Sequence, residues 1–103
     1  MPILCLGLSH RTAPVTLRER FAFAEGRIPE ALARLRSSGA AEEAVILSTC
    51  NRVELYVATA QEPRQAFAAL RLFLRDWHGF TEPFGEELYE LAEPRSEIGR
   101  AHV

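Results

Sequence analysis

Ala44-Val45-Ile46-Leu47-Ser48-Thr49-Cys50-Asn51-Arg52-Val53-Glu54-Leu55-Tyr56-Val57-Ala58 is the stretch whose reading decides the fold. Ala44 to Leu47 is a short apolar run, and Val53 to Ala58 alternates apolar and polar as a half-buried strand does. Val53, Leu55 and Val57 share one face of that strand; Glu54, Tyr56 and Ala58 share the other. Between the two strands lies a polar, tight connection carrying a cysteine, which is a poor choice for a mere turn. Asn51 tolerates positive φ and is expected there. Cys50 is then held at the bend with its thiol aimed away from the sheet, and Arg52 supplies a fixed positive charge. A small buried apolar residue is the other reading of Cys50, and spacing alone leaves both open.

Working outward, Ile3-Leu4-Cys5-Leu6-Gly7-Leu8 is a continuous apolar run and reads as a strand buried on both faces. Cys5 inside it is a core residue, and Gly7 marks a bulge or a close approach of backbone. Ser9-His10-Arg11-Thr12-Ala13-Pro14 is a polar loop at the end of that strand. Thr16-Leu17-Arg18-Glu19 fits a capping box that starts a short helix at Leu17. Pro29 suits the first turn of a second helix, with Ile28, Ala31, Leu32 and Leu35 facing a core and Ser37-Ser38-Gly39 ending it. From Arg64 to about His78, Phe67, Leu70, Leu74 and Trp77 recur at helical spacing, and Gly79 is a natural stop. His78 in the last turn complements the helix dipole. After a polar connection from Thr81 to Glu87, Leu88-Tyr89-Glu90-Leu91 is the last strand. The order strand, helices, strand, strand, helix, strand predicts an α+β fold. It is a ferredoxin-like split βαβ sandwich, a mostly antiparallel sheet with helices on one face, and the Cys50 turn lies at one end of the sheet.

Bulk properties narrow the function classes. A chain of 103 residues suffices for one small core. Nothing in it approaches the roughly 18–20 apolar residues of a membrane span, and the start has no signal-peptide character. Two cysteines make no disulfide framework, and no Cys/His spacing suggests a metal site. The formal net charge of −2 gives no global field for nucleic acid. All twelve basic residues are arginine, the better fork for carboxylate and phosphate, although a coding bias would look the same.

Three segments together carry a family resemblance. They are Gly7-Leu8-Ser9-His10-Arg11-Thr12-Ala13-Pro14-Val15, Leu17-Arg18-Glu19-Arg20 and Leu47-Ser48-Thr49-Cys50-Asn51-Arg52-Val53-Glu54-Leu55-Tyr56. In this order, with the long motifs about forty residues apart, the chain resembles the N-terminal catalytic domain of glutamyl-tRNA reductase. The resemblance covers residues 1–93. It implies NADPH-dependent reduction of glutamyl-tRNA to glutamate-1-semialdehyde through a cysteinyl thioester, the first step of five-carbon tetrapyrrole biosynthesis, in the cytoplasm. Cys50 is then the nucleophile, because an ester can be attacked by a thiolate whereas a carboxylate cannot accept hydride. Arg52 pairs with the γ-carboxylate of the glutamyl group. Thr49 and Asn51 hydrogen-bond the substrate or the turn backbone, and Ser9, His10 and Thr12 form a supporting loop packed beside the turn.

Other expectations follow from the same resemblance. The family's NADPH-binding domain lies outside these residues, and no G-x-G-x-x-G occurs in the chain. The family's homodimer forms through C-terminal helices also absent here, and the product passes to glutamate-1-semialdehyde aminomutase. The family's assisting histidine, eleven residues beyond the leucine matching Leu88, falls on Gly99, and His102 is three residues late. Residues 94–103 read as an irregular tail, within which Ile98-Gly99-Arg100-Ala101-His102-Val103 matches a translated sequencing adapter. Residues 1–93 are accordingly expected to be a truncated domain. Arg11, Arg18, Arg20 and Arg52 are the positional candidates for contact with tRNA. Two further readings stand beside catalysis: a tRNA-binding module without chemistry, and a thiol hydrolase or redox sensor with His10 as its upstream partner.

Overall fold

The structure is a computed structural model and describes residues 2–80 and 87–93. The tail 94–103, with Gly99 and His102, and most of the polar connection after Phe80 lie outside the described residues. The described residues form four strands, β1 (Ile3–Ser9), β2 (Glu43–Ser48), β3 (Arg52–Ala58) and β4 (Tyr89–Glu93). Three α-helices accompany them, α1 (Val15–Phe21), α2 (Ile28–Ser37) and α3 (Pro63–His78), with a 3-10 turn at Glu25–Arg27. The sheet order is β2-β3-β1-β4, and all three pairings are antiparallel. The fold is α+β, as expected. β1 and β2 therefore run the same way with β3 between them.

Alternation decides which face is covered. Leu4, Leu6 and Leu8 of β1 and Val53, Leu55 and Val57 of β3 join Ile46 of β2 in one buried cluster. Ala31 and Leu35 of α2, Phe21 of α1, and Ala66, Phe67, Leu70 and Leu74 of α3 complete it. Each fully buried leucine or phenylalanine contributes roughly 1.5–3 kcal/mol, so this face carries most of the fold's stability. α1 has only seven residues, far too few to persist alone. It is held because Phe21 is fully buried and stacks on Phe80 with centroids 4.9 Å apart.

α3 runs as its period predicts, with proline in its first turn and Gly79 at φ +64° accepting the left-handed conformation that ends it. The 3-10 turn that leads into α2 is pinned to it where the Arg27 guanidinium lies 4.4 Å from the centre of the Trp77 ring, and Arg34 of α2 lies 5.3 Å from the same ring. No helix among the described residues is long and apolar enough to cross a membrane.

Three expectations need correction. α1 starts at Val15, with Pro14 as its N-cap and no side-chain cap. Thr16 is already inside the first turn and so lacks the extended backbone that a capping hydroxyl needs; the Pro14 carbonyl accepts from Leu17 and Arg18 instead, both at 3.1 Å. Asn51 does not take positive φ, for no non-glycine residue does among those described. The register ends at Ser48 opposite Val53, which leaves a longer connection than a two-residue turn, and such loops turn through ordinary backbone.

His78 is no dipole partner either. It wedges edge-on between Phe21 and Phe23, with centroids 5.6 and 4.8 Å away, and its Nε2 is buried without a partner. Burial lowers its pKa from 6.5 to about 4, against the opposing effect of a hydrogen bond to the Phe21 backbone. The unfolded chain therefore takes up a proton that the native chain refuses. Stability is full above 6.5 and is lost as pH falls towards 4. Thermal melts of the wild type and His78→Phe at about pH 7 and about pH 4.5 check this. The wild type loses more on acidification than the variant does, whereas parallel losses would count against it.

Candidate active site

The turn between β2 and β3 is built by one side chain. Thr49 Oγ1 accepts hydrogen bonds from the Asn51 and Arg52 N–H groups, at 3.1 and 3.2 Å. Thr49 N–H donates to the Arg52 carbonyl at 2.8 Å, and the Thr49 hydroxyl donates to the same carbonyl at 3.4 Å. A threonine hydroxyl thus replaces the left-handed residue that a tighter turn would need. Thr49, Cys50 and Asn51 are exposed and Arg52 is half-buried. The thiol sits at the apex of the connection.

The loop after β1 folds in the same manner. Ser9 N–H donates to Thr12 Oγ1 at 2.9 Å, and Arg11 N–H donates to Ser9 Oγ at 3.2 Å. The Ser9 carbonyl accepts from Thr12 and Ala13, at 3.0 and 2.9 Å. Ser9 and Thr12 therefore shape the loop itself. The two loops meet where His10 N–H donates to the Asn51 carbonyl at 2.8 Å, which continues the antiparallel pairing that ends at Ser9 opposite Arg52. The structure thus brings together Ser9, His10 and Thr12 with Thr49, Cys50, Asn51 and Arg52. The contact at position 10 is main chain; its imidazole is exposed.

Beneath the turn, on the face of the sheet away from the helices, lies a group that sequence reasoning did not find. Glu54 is buried, 1% exposed. The Tyr56 hydroxyl donates to its Oε1 at 2.7 Å, and the Tyr89 hydroxyl donates to Oε2. Arg52 Nε lies 3.7 Å from Oε1. Gly7 stands between them, opposite Glu54 on one side and Tyr89 on the other. With no side chain there, the tyrosine reaches across β1 to the carboxylate. A Cβ on Gly7 would come within 2.6 Å of Glu54 Cγ and 2.8 Å of the Val53 carbonyl oxygen. The only advance signs were a glutamate on the unassigned face of a strand and a glycine in an apolar run. Ser48 was also missed; its hydroxyl accepts from Phe23 N–H at 2.9 Å and ties the segment after α1 to the end of β2.

The two cysteines differ in kind. Burial pushes the Cys5 thiol up to about 12, and the Glu54 charge adds to the rise, against weaker opposition from a Tyr56 hydrogen bond and from Arg52. Cys5 is inert at neutral pH, whereas Cys50 is exposed. Tyr56 and Tyr89 are likewise raised by burial and by donating to Glu54, so both remain protonated donors. Of the arginines proposed to touch nucleic acid, Arg18 folds back to donate to the Ala13 carbonyl at 3.0 Å. Arg20 stacks over Phe80 at 4.0 Å. Arg11 is exposed. Among the described residues no group of three or more His, Cys, Asp or Glu is placed to hold a metal ion.

Comparison with known proteins adds the following. Residues 6–96 match the family model for the N-terminal domain of glutamyl-tRNA(Glu) reductase. The chain is 48% identical over 77 residues to a glutamyl-tRNA reductase of Shouchella clausii, covering 75% of this chain and 17% of that protein. It is 44% identical over 92 residues to one of Neisseria meningitidis, covering 88% and 21%. Among solved structures, glutamyl-tRNA reductase from Methanopyrus kandleri superposes with a TM-score of 0.62 at 21% identity, covering 88% of this chain and 19% of that one. The chain spans about a fifth of the length of these relatives.

Proposed function

The chain belongs to the glutamyl-tRNA reductase family, whose N-terminal domain it carries, and from this premise we propose that Cys50 is the nucleophile that takes the glutamyl group from glutamyl-tRNA. One observation carries the reading. The exposed Cys50 thiol is held on a hydroxyl-braced turn two residues from Arg52, and that turn is tied to the Ser9–Pro14 loop. An exposed thiol on a braced turn is presented to a macromolecular ester without any closing motion.

The chemistry balances within these residues. The Cys50 thiolate attacks the ester carbonyl; a carbon–sulfur bond forms and the carbon–oxygen bond to the tRNA breaks. The terminal ribose hydroxyl leaves and takes a proton from solvent. The thioester that remains is a competent acceptor of hydride, which the original carboxylic acid is not. Arg52 reads the γ-carboxylate as a planar fork. Thr49 and Asn51 hold the turn and face the substrate. Ser9, His10 and Thr12 support it from the neighbouring loop.

NADPH-dependent reduction to glutamate-1-semialdehyde belongs to the proposal for the whole protein. The residues described here do not fit the cofactor. The chain has no G-x-G-x-x-G, and β1 is followed by a hydroxyl-folded loop and a seven-residue helix rather than a phosphate-binding turn. No hydride step is assigned to them. Family membership likewise supports a homodimer, hand-over of the aldehyde to glutamate-1-semialdehyde aminomutase, a cytoplasmic setting and a place in tetrapyrrole synthesis. We read the sheet as ferredoxin-like, and the parallel β1 and β2 flanking β3 support that reading.

The test is capture of the intermediate. Acid quenching of the protein mixed with glutamyl-tRNA labelled in its glutamyl group leaves label on the peptide bearing Cys50, removable by hydroxylamine. The Cys5 peptide stays unlabelled. A chain that binds the tRNA but acquires no label is a recognition module, and the proposal fails.

A further inference from the structure

Among the described residues Glu54 is the one buried carboxylate, and neither the nucleophile nor the turn itself uses it. Arg52 and Glu54 are two residues apart on β3, so their side chains leave the same face of the sheet. The carboxylate is held by hydroxyls from two different strands, Tyr56 on β3 and Tyr89 on β4. It cannot swing away without stranding both. An unrestrained arginine samples many rotamers and must lose that freedom to form a bidentate pair. Here its Nε lies 3.7 Å from the fixed carboxylate. At that separation the carboxylate attracts and orients the guanidinium by charge.

Resting on the reading of Arg52 given above, we propose that Glu54, with Tyr56 and Tyr89 as its clamp, is the positioning residue for Arg52 and so sets the selectivity for a carboxylate over a carboxamide at the substrate's side-chain terminus. Glutamyl and glutaminyl groups differ only there. An arginine fixed in one plane rewards the two-oxygen partner, because a carboxamide offers one acceptor and turns a donor towards the cation. A loosely held arginine gains less from that difference. The discrimination therefore depends on residues that never touch the substrate.

The experiment measures the affinity of the full chain for glutamyl-tRNA and for glutaminyl-tRNA on the same tRNA body, in a Cys50→Ser background that prevents turnover. The parent protein prefers glutamyl-tRNA. Tyr89→Phe, which removes one clamp hydroxyl, and Glu54→Gln, which removes the charge, each shrink that preference at least tenfold while affinity for the glutaminyl form stays within a factor of two. A merely structural role would weaken both tRNAs together and leave the ratio unchanged, which overturns the proposal. If Glu54→Gln fails to fold by circular dichroism, Tyr89→Phe decides. A parent protein with no preference overturns the assignment of Arg52 itself, and the positioning role falls with it. A parent that discriminates beside variants that discriminate equally removes the positioning role alone.

Discussion

Cys50→Ser brings the release of free glutamate from glutamyl-tRNA down to the spontaneous rate, while the wild-type chain exceeds that rate. The expectation follows from what the turn offers when no hydride donor is present. A thioester on Cys50 has two fates, hydride or water. In an assay to which no hydride donor is added, water is the route left, and slow release of glutamate is the expected outcome. Serine keeps the shape of the turn, since Thr49 rather than residue 50 makes its hydrogen bonds. It removes the nucleophile, because an alkoxide is far less accessible at neutral pH than a thiolate. The fall is on the order of a hundredfold or more, as for loss of a covalent nucleophile elsewhere. Release is read as acid-soluble labelled glutamate against a protein-free control. Equal rates for wild type and variant would refute the role of Cys50. Cys5→Ser, at a buried thiol held in its neutral form, leaves the rate above the control in whatever fraction of the protein remains folded.

Gly7→Ala has the largest expected effect on stability. The added methyl would stand 2.6 Å from Glu54 Cγ and 2.8 Å from the Val53 carbonyl oxygen. The first could shift only by abandoning two tyrosine hydroxyls. The second is ladder backbone and cannot move without opening the β1–β3 pairing. Overpacking of this kind costs about 1–3 kcal/mol, and loosening the buried Glu54 hydrogen bonds adds roughly 1–3 kcal/mol. In a chain of this size each kcal/mol lowers Tm by about 4–8 °C, so a fall of roughly 10–40 °C is expected in a thermal melt followed by circular dichroism. A Tm within a few degrees of wild type would show that the strands yield easily. The folded remainder also loses glutamyl selectivity, because Glu54 and Arg52 shift together.

Period made much of this legible. The alternation of Val53, Leu55 and Val57, the apolar run of β1, and the spacing of Phe67, Leu70 and Leu74 each follow from which side must meet the core. Gly7 announced a close approach, and one is there. The departures have a common origin. Thr16 and Asn51 were assigned by local preference, yet their backbones answer to Pro14 and to the Thr49 hydroxyl. His78 was assigned by its place in a helix, but its surroundings, Phe21 and Phe23, come from far earlier in the chain. Glu54 shows the limit most clearly. Its partners Gly7 and Tyr89 lie in strands far off in sequence, and only the registers of two separate ladders put them in one row.

The union of the two loops through His10 N–H and the Asn51 carbonyl has a consequence for substitution. Main chain meets main chain, so the join is blind to the side chains borne at either position. Residue 10 can exchange charge, size or aromaticity without loosening the seam, and proline alone takes away the donor. The imidazole there is thereby a free variable of the architecture. Whatever it does for a substrate could be rewritten by design while the platform carrying Cys50 stays put.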